Sequence, residues 1–383
     1  MNKNRSQLIS LLFLTTFFWA IQTPSQAQTA IIDEIIPATG KVRINRNNMS
    51  DYYPVEVGTL LKKGDLIFPS PGTKVRVICP DLSSKPVVPG RHSGLETICP
   101  IWKVRMNKAP APIGFLGGMD NSIPYVILPS NSLIRTKTPT FRWHKIKGAT
   151  KYTVELRLRN SDQVVWRSQV ADNQVVYDGD RLLETGIFYS LTIQADTGES
   201  FPDKNKSVGE FIILNPEESQ FVEAEVSKIT KQNLNPLTKA LFLADFYSNY
   251  FVPESSLDDY DLKQTTFDRY GLITDAIVVM EDLITQGFDT PMVYRLLGRL
   301  YARSGLVNLS IENYQKAIAG ATTPESLEQK TLAQYTLGLV YFAIGNKEKA
   351  LILYEQAKIG FCQLGNKALA NFVERQIKDM QSI

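Results

Sequence analysis

The stretch Leu297-Gly-Arg-Leu-Tyr-Ala-Arg-Ser-Gly305 returns as Leu337-Gly-Leu-Val-Tyr-Phe-Ala-Ile-Gly345, a step of 40 residues. The same step relates Tyr314 to Tyr354 and Ala317 to Ala357. A fixed period of this length is the mark of stacked supersecondary units, each too small to bury its apolar face alone. Within a unit, large residues flank a small one at helical spacing, so two helices can interlock there. A weaker earlier copy carries Leu243-Ala244-x-x-Tyr247 on its first helix and Ala276-x-x-x-Met280-x-x-Leu283 on its second. Residues 236–383 therefore read as an all-α solenoid, closed by a solvating cap helix from Lys367 to Met380.

Upstream the period changes from helical to twofold. Asn215-Pro216-Glu217-Glu218 supplies a cap, a proline at the first helical position and acids in the first turn. Residues 215–235 are thus a connecting helix, with Phe221, Val222, Val226 and Ile229 on one face. From 123 to 214 short strands alternate with turns: one before Pro129, then Thr140–Trp143, Lys151–Leu158, Gln163–Trp166, Gln174–Tyr177, Phe188–Ala195 and Val208–Leu214. Trp143 is the expected core aromatic, and Leu183-x-x-Gly186-x-x-Tyr189 fits a tyrosine corner. Residues 109–122 are rich in Pro and Gly and read as a linker. Residues 29–108 form a second β-region, with turn pairs at Gly64-Asp65 and Pro71-Gly72. There Lys74-Val-Arg-Val-Ile-Cys79 places Val75, Val77 and Cys79 on the core side.

Three resemblances follow from these residues. Gly40-x-Val42, Val57-Gly58, Leu61-x-x-Gly64-Asp65-x-Ile67 and Val75-x-Val77 resemble the FecR-type periplasmic domain. Cys79-Pro80-Asp81 and an insert to Cys99 stand where that family carries an Asp-Gly turn. Residues 123–214 look like a fibronectin type III or immunoglobulin-like sandwich. The repeats resemble tetratricopeptide (TPR) units, lengthened around Thr322-Thr-Pro-Glu325, with Ser310 in place of the usual alanine.

The first 27 residues are read as a secretory signal: Lys3 and Arg5, an apolar run from Leu8 to Ile21, then Ser25-Gln26-Ala27. The alternative is an uncleaved anchor. No later segment is apolar enough to span a membrane, so the mature chain is expected to be exported, periplasmic or associated with the envelope. In an oxidising compartment Cys79 and Cys99, each ending an Ile-Cys-Pro phrase, are expected to pair. Adding His92 gives a zinc set one ligand short. Cys362 falls on a helical apolar pattern and is expected in the core.

The net charge of +3 gives no case for nucleic acid. The segment Lys41–Lys108 is basic, which suits a solvated surface or an anionic envelope polymer. No nucleophile elbow, phosphate loop, dinucleotide fingerprint or zincin spacing is present. Asp258-Asp-Tyr-Asp261 lacks the glycine and distal glutamate of a calcium loop. The chain is therefore expected to be a non-enzymatic binding or scaffold protein, with no catalytic, cofactor or metal residues. The alternative is an envelope sensor or glycan binder acting through the FecR-like module. Ligand positions of tetratricopeptide folds fall on Arg295, Arg299, Arg303, Tyr335, Leu339 and Phe342. The three arginines, at i, i+4 and i+8, form one stripe. Their forks suit an acidic or C-terminal peptide as partner. The plainer reading is a solvated helix face.

Overall fold

The computed structural model describes residues 29–46, 49–100, 118–159, 161, 163–198, 200–201, 209–250 and 271–382. The expected signal sequence, residues 109–117 of the expected linker and the Asp258–Asp261 acidic run lie outside them. Among the described residues the N-terminal part is β-rich and the C-terminal part helical. No described helix is long and apolar enough to cross a membrane.

The first module contains β1 (Ala30–Ile36), β2 (Val42–Asn45), β3 (Tyr53–Val55), β4 (Leu60–Leu61), β5 (Leu66–Pro69), β6 (Lys74–Ile78), β7 (Ser84–Val87), β8 (Ser93–Gly94) and the single turn α1 (Leu95–Ile98). They form two four-stranded sheets, β4-β1-β6-β7 and β3-β2-β5-β8. Alternation places Ile32, Val42, Ile44, Ile67, Val75 and Val77 in the core between them. Cys79 and Cys99 are joined by a disulfide with Cα atoms 5.5 Å apart. Closing a loop of this length stabilises the module by about 3 kcal/mol in the chain-entropy model.

The second β-region contains β9 (Val126–Leu128), β10 (Ser132–Ile134), β11 (Thr140–Trp143), β12 (Tyr152–Leu158), β13 (Val164–Val170), β14 (Gln174–Val176), β15 (Phe188–Ala195), β16 (Ser200–Phe201) and β17 (Glu210–Ile213). One sheet runs β10-β17-β15-β12-β13, with β16 on β15, and the other β14-β11-β9. Trp143 and Tyr152 are fully buried between them, edge to face at 5.5 Å. Tyr189 closes its corner: its hydroxyl accepts the Glu184 N–H at 2.8 Å. β10 was not expected. It has three residues and pairs parallel with β17, so no hairpin signal announces it.

The helices are α2 (Pro216–Thr230), α3 (Pro236–Asn249), α4 (Ile273–Thr285), α5 (Pro291–Arg303), α6 (Val307–Gly320), α7 (Leu327–Ala343), α8 (Lys347–Gln363) and α9 (Lys367–Gln381), with a 3₁₀ turn at Pro324–Ser326. Asn215 caps α2, Asn235 caps α3 and Thr290 caps α5, each followed by proline. The repeated glycines sit where partner helices touch. A Cβ on Gly298 would lie 3.1 Å from the Tyr314 ring, and one on Gly338 only 2.6 Å from the Tyr354 ring. Cys362 is exposed, against expectation. The buried seam of α8 runs Ala350, Tyr354, Ala357, Phe361, and Cys362 lies one residue, about 100°, off it.

The sequence suggests separate domains joined by linkers, but the described parts are docked on one another. Ser132 of β10 accepts the N–H of Thr274 at 3.0 Å, supplying the cap that α4 lacks in its own chain segment. Arg135 binds Asp275 at 2.8 Å and Glu223 at 2.6 Å, and Arg142 binds Glu281 at 2.6 Å. The end of the expected linker is also fixed, since Asn308 donates to the carbonyl of Met119 and to Asn121. The first module docks through several contacts. Asn235 donates to the carbonyl and carboxylate of Asp33 on β1. Gly58, at φ 88°, inserts where any Cβ would meet Met292 and Leu237 within 2.8 Å.

At the centre of this contact Arg46 reaches Asp65 at 2.6 Å within its own module and Glu328 on α7 at 2.6 Å. Tyr53 completes the network, its hydroxyl donating to Glu328 at 2.9 Å. Burial alone raises the Glu328 carboxyl, but Arg46 and Tyr53 more than offset it and hold the group below the usual range. Replacing Arg46 by alanine leaves two largely buried carboxylates facing one another and should cost about 3–5 kcal/mol by chemical denaturation. A loss under 1 kcal/mol would mean the network is solvated.

Two further outcomes follow from the packing. Gly338→Ala should destabilise by about 1–3 kcal/mol, because the new Cβ would stand only 2.6 Å from the Tyr354 ring, closer than any real Cβ contact. Gly298→Ala has a few tenths of an ångström to find and gains helix propensity of about 1 kcal/mol, so its melt should stay close to wild type. Equal losses at both sites would contradict this packing.

Beside β3, the Glu56 carboxyl is raised by burial and then by Glu325 in the 3₁₀ turn. The folded state thus holds this proton more tightly than the unfolded chain. The resulting penalty is absent below the ordinary glutamate value of about 4.3 and grows as pH rises through the raised value. Glu56→Gln should therefore raise the melting temperature at pH 7, with the gain fading near pH 4. A lower melting temperature at pH 7 would reveal a cationic partner for Glu56 instead.

Candidate binding site between the first module and the helices

Helix α5 buries Met292, Val293, Leu296, Leu297, Leu300 and Tyr301. Its remaining face presents Arg295, Arg299 and Arg303 toward the first module and α3. Arg295 is half-buried and donates through Nε to Gln329 at 2.7 Å. Arg303 is half-buried and donates through Nη1 to the Ser248 carbonyl at 2.7 Å. Arg299 is exposed and, among the described residues, has no hydrogen-bond or ion-pair partner. Of the five N–H donors on each guanidinium, most therefore have no acceptor among the described residues.

The electrostatics agree with this count. Burial and then repulsion from Arg299 pull Arg303 down to about 9. Arg295 falls to about 10 for the same reasons, with Glu328 opposing. Both remain cations at neutral pH. Asp245 on α3 is raised by burial, against the pull of Arg299 and a bond from Asn249 at 2.9 Å. Arg299 thus acts on Asp245 without forming an ion pair.

A cleft runs beneath this ladder, lined by Leu60, Leu241, Ala244, Asp245, Ser248, Leu296, Arg299 and Leu300. Its free space is about 20 Å³, room for roughly one water. A ligand must therefore lie across the mouth rather than enter. Leu60 comes from β4, so the first module forms one wall.

The other three expected contact residues are elsewhere. Tyr335 and Leu339 are each 6% exposed and belong to the core. Tyr335 stacks on Tyr354 at 5.7 Å and meets Phe361 edge-on at 6.1 Å. The reason is geometric. Tyr335 and Phe342 lie three before and four after Gly338, on the face that packs against α8. Phe342 is half-buried in the same cluster. The expected aromatic surface beside the arginines is thus interior. Leu60 and Asp245 were missed because they reach the site only by the docking of separate segments, which leaves no periodic trace in the sequence.

Chemistry at other positions is limited. Among the described residues no group of three or more His, Cys, Asp or Glu side chains could hold a metal ion. The bridged Cys79 and Cys99 are unavailable as ligands beside His92, which stacks on Phe68 at 4.5 Å. His144 is half-buried, stacked on Tyr125 at 4.8 Å.

No protein-family model matches the chain, and no curated protein matches it. Solved structures with some likeness include the FN1–FN3 domains of chicken CNTN1, at 14% identity and a TM-score of 0.19. That likeness covers 46% of this chain, and the chain spans about half of that structure, 54%.

Proposed function

We propose that the chain is an exported, non-enzymatic binding and scaffold protein of the cell envelope. In this reading the paired helices are tetratricopeptide-like, the first module is FecR-like and the sandwich is of the fibronectin type III or immunoglobulin kind. The leader-type first 27 residues and the Cys79–Cys99 bridge support export. The Gly338–Tyr354 interlock supports the helical repeats, and the Tyr189 corner supports the sandwich.

The observation that carries the reading is the ladder Arg295, Arg299, Arg303. Three guanidiniums held along one helix face repel one another, and most of their donors have no acceptor among the described residues. An acidic peptide, or the carboxylate end of one, satisfies both demands. A second reading, a sensor or glycan binder acting through the first module, has one observation in its favour. Phe68 on that module stacks with His92, lies under Arg43 at 5.1 Å and adjoins Tyr52.

Calorimetric titration of the full chain with a hexaglutamate peptide tests the first reading. Wild type should bind, and Arg299→Glu should abolish binding while barely moving the melting temperature, because an exposed charge contributes little to stability. Absence of binding by wild type, or equal binding by the folded variant, would overturn it.

A further inference from the structure

The sheet β3-β2-β5-β8 carries a row of planar side chains on its outward face. Alternation turns Val42, Ile44 and Ile67 into the core, which leaves Arg43 and Phe68 pointing outward. The register sets Pro54, Arg43 and Phe68 opposite one another on β3, β2 and β5. On β8 Ser93 pairs with Ile67, so His92, one residue earlier, falls beside Phe68. The groups stack along the row. The Arg43 guanidinium lies 5.1 Å from the centre of the Phe68 ring, and His92 stacks on Phe68 at 4.5 Å. Tyr52 stands across this stack, 5.0 Å from His92 and at 69° to Phe68.

The row is open and positive. Arg43 and His92 are exposed, and Tyr52, Pro54 and Phe68 are half-buried. Lys41, two residues before Arg43, and Arg91, next to His92, are exposed as well. Among the described residues Lys41, Arg43 and Arg91 have no ion-pair partner. The acids close by in sequence are turned elsewhere: Asp51 accepts the Ser50 hydroxyl at 2.9 Å beside Gly365, and Glu96 faces Lys63 at 3.9 Å. Because β2 and β8 flank β5, Arg43 and His92 cover opposite faces of the Phe68 ring. A flat base therefore finds no free face of Phe68 to stack on. What the stack offers is ring edge, guanidinium and imidazole, and aromatic edges carry the positive end of the ring quadrupole. Every group on offer favours an oxygen-rich anion.

We propose that this row is a binding site for a carboxylated sugar polymer. Arg43 and Arg91 take carboxylates, the edges of Phe68 and His92 take ring hydroxyls, and Tyr52 packs against the C–H groups of a sugar. The proposal rests on the second reading above, a glycan binder acting through the first module, and adds the charge of the ligand and the surface that holds it. From Arg43 to His92 the row crosses two strand spacings, about 9.5 Å. That is farther than one sugar ring reaches, so the ligand is a chain segment and not a monosaccharide. The wall formed by Tyr52 suits the stiff, C–H-rich body of a sugar better than the flexible carboxylates of an acidic peptide.

The test is affinity electrophoresis of the full chain in gels carrying polygalacturonate or, as the neutral comparison, dextran. Polygalacturonate should retard the chain, less so as salt is added, and dextran should not. Arg43→Gln removes one charge-assisted contact from an exposed position, so it should fold normally and bind about tenfold more weakly. Tyr52→Ser should also weaken binding. Lys74→Gln, which removes an exposed charge from the other sheet, should match wild type, and excess hexaglutamate should not displace the polymer. No retardation by polygalacturonate would overturn the proposal. Equal retardation by dextran, unchanged in Arg43→Gln, would refute the anionic ligand while the glycan reading stands. Equal weakening by Lys74→Gln would mean diffuse electrostatics, and displacement by hexaglutamate would place the polymer on the arginine ladder; either result overturns the site.

Discussion

The docked arrangement depends on one guanidinium. Arg46 leaves the end of β2 and distributes its donors over four acceptors: Tyr53, Asp65, the Leu60 carbonyl and both oxygens of Glu328. Two of these fix the fold of the first module, one fixes the β4 strand, and one belongs to α7. Such a pair seldom adds net stability over a well-packed apolar contact of the same volume, because its ions must be stripped of water. It does penalise every alternative arrangement, since a shift of either body leaves a buried charge without its partner. Arg46 therefore works chiefly as a registration device. The apolar contact around Gly58 and the Asn235–Asp33 bonds then close in the one orientation that it permits.

How much of this was legible in the sequence follows from the range of each interaction. The repeats were legible because Gly298 and Gly338 meet Tyr314 and Tyr354 at fixed offsets. The Tyr189 corner, the buried Trp143 and the Cys79–Cys99 bridge were legible because each is local to one domain. The Arg46–Glu328 contact spans 282 residues and involves one side chain from each body. No periodicity, turn residue or composition bias marks it, so the sequence suggests beads on a string. β10 escaped for a related reason, since among the described residues its only strand partner is distant β17.

The candidate site shows the same division. The arginine stripe is visible in the i, i+4, i+8 spacing alone. Its consequence is not, because that depends on which carboxylates arrive from other segments. Asp245 arrives from α3 and stands off, while Glu328 is taken by Arg46. Tyr335 and Leu339 were misjudged because position within a repeat predicts helix face only approximately. Here Tyr335 shares the face of Gly338 and is drawn into the α7–α8 seam.

One feature of the contact between the first module and the helices opposes Arg46. Glu56 approaches Glu325 across it, and burial and then Glu325 raise the Glu56 carboxyl. This is a like-charge approach beside a well-satisfied ion network. A contact selected only for tightness would exchange one partner of that pair. The arrangement instead holds the two bodies in register through Arg46 while leaving the acidic margin repulsive. That combination suits a contact whose strength responds to protons at that margin.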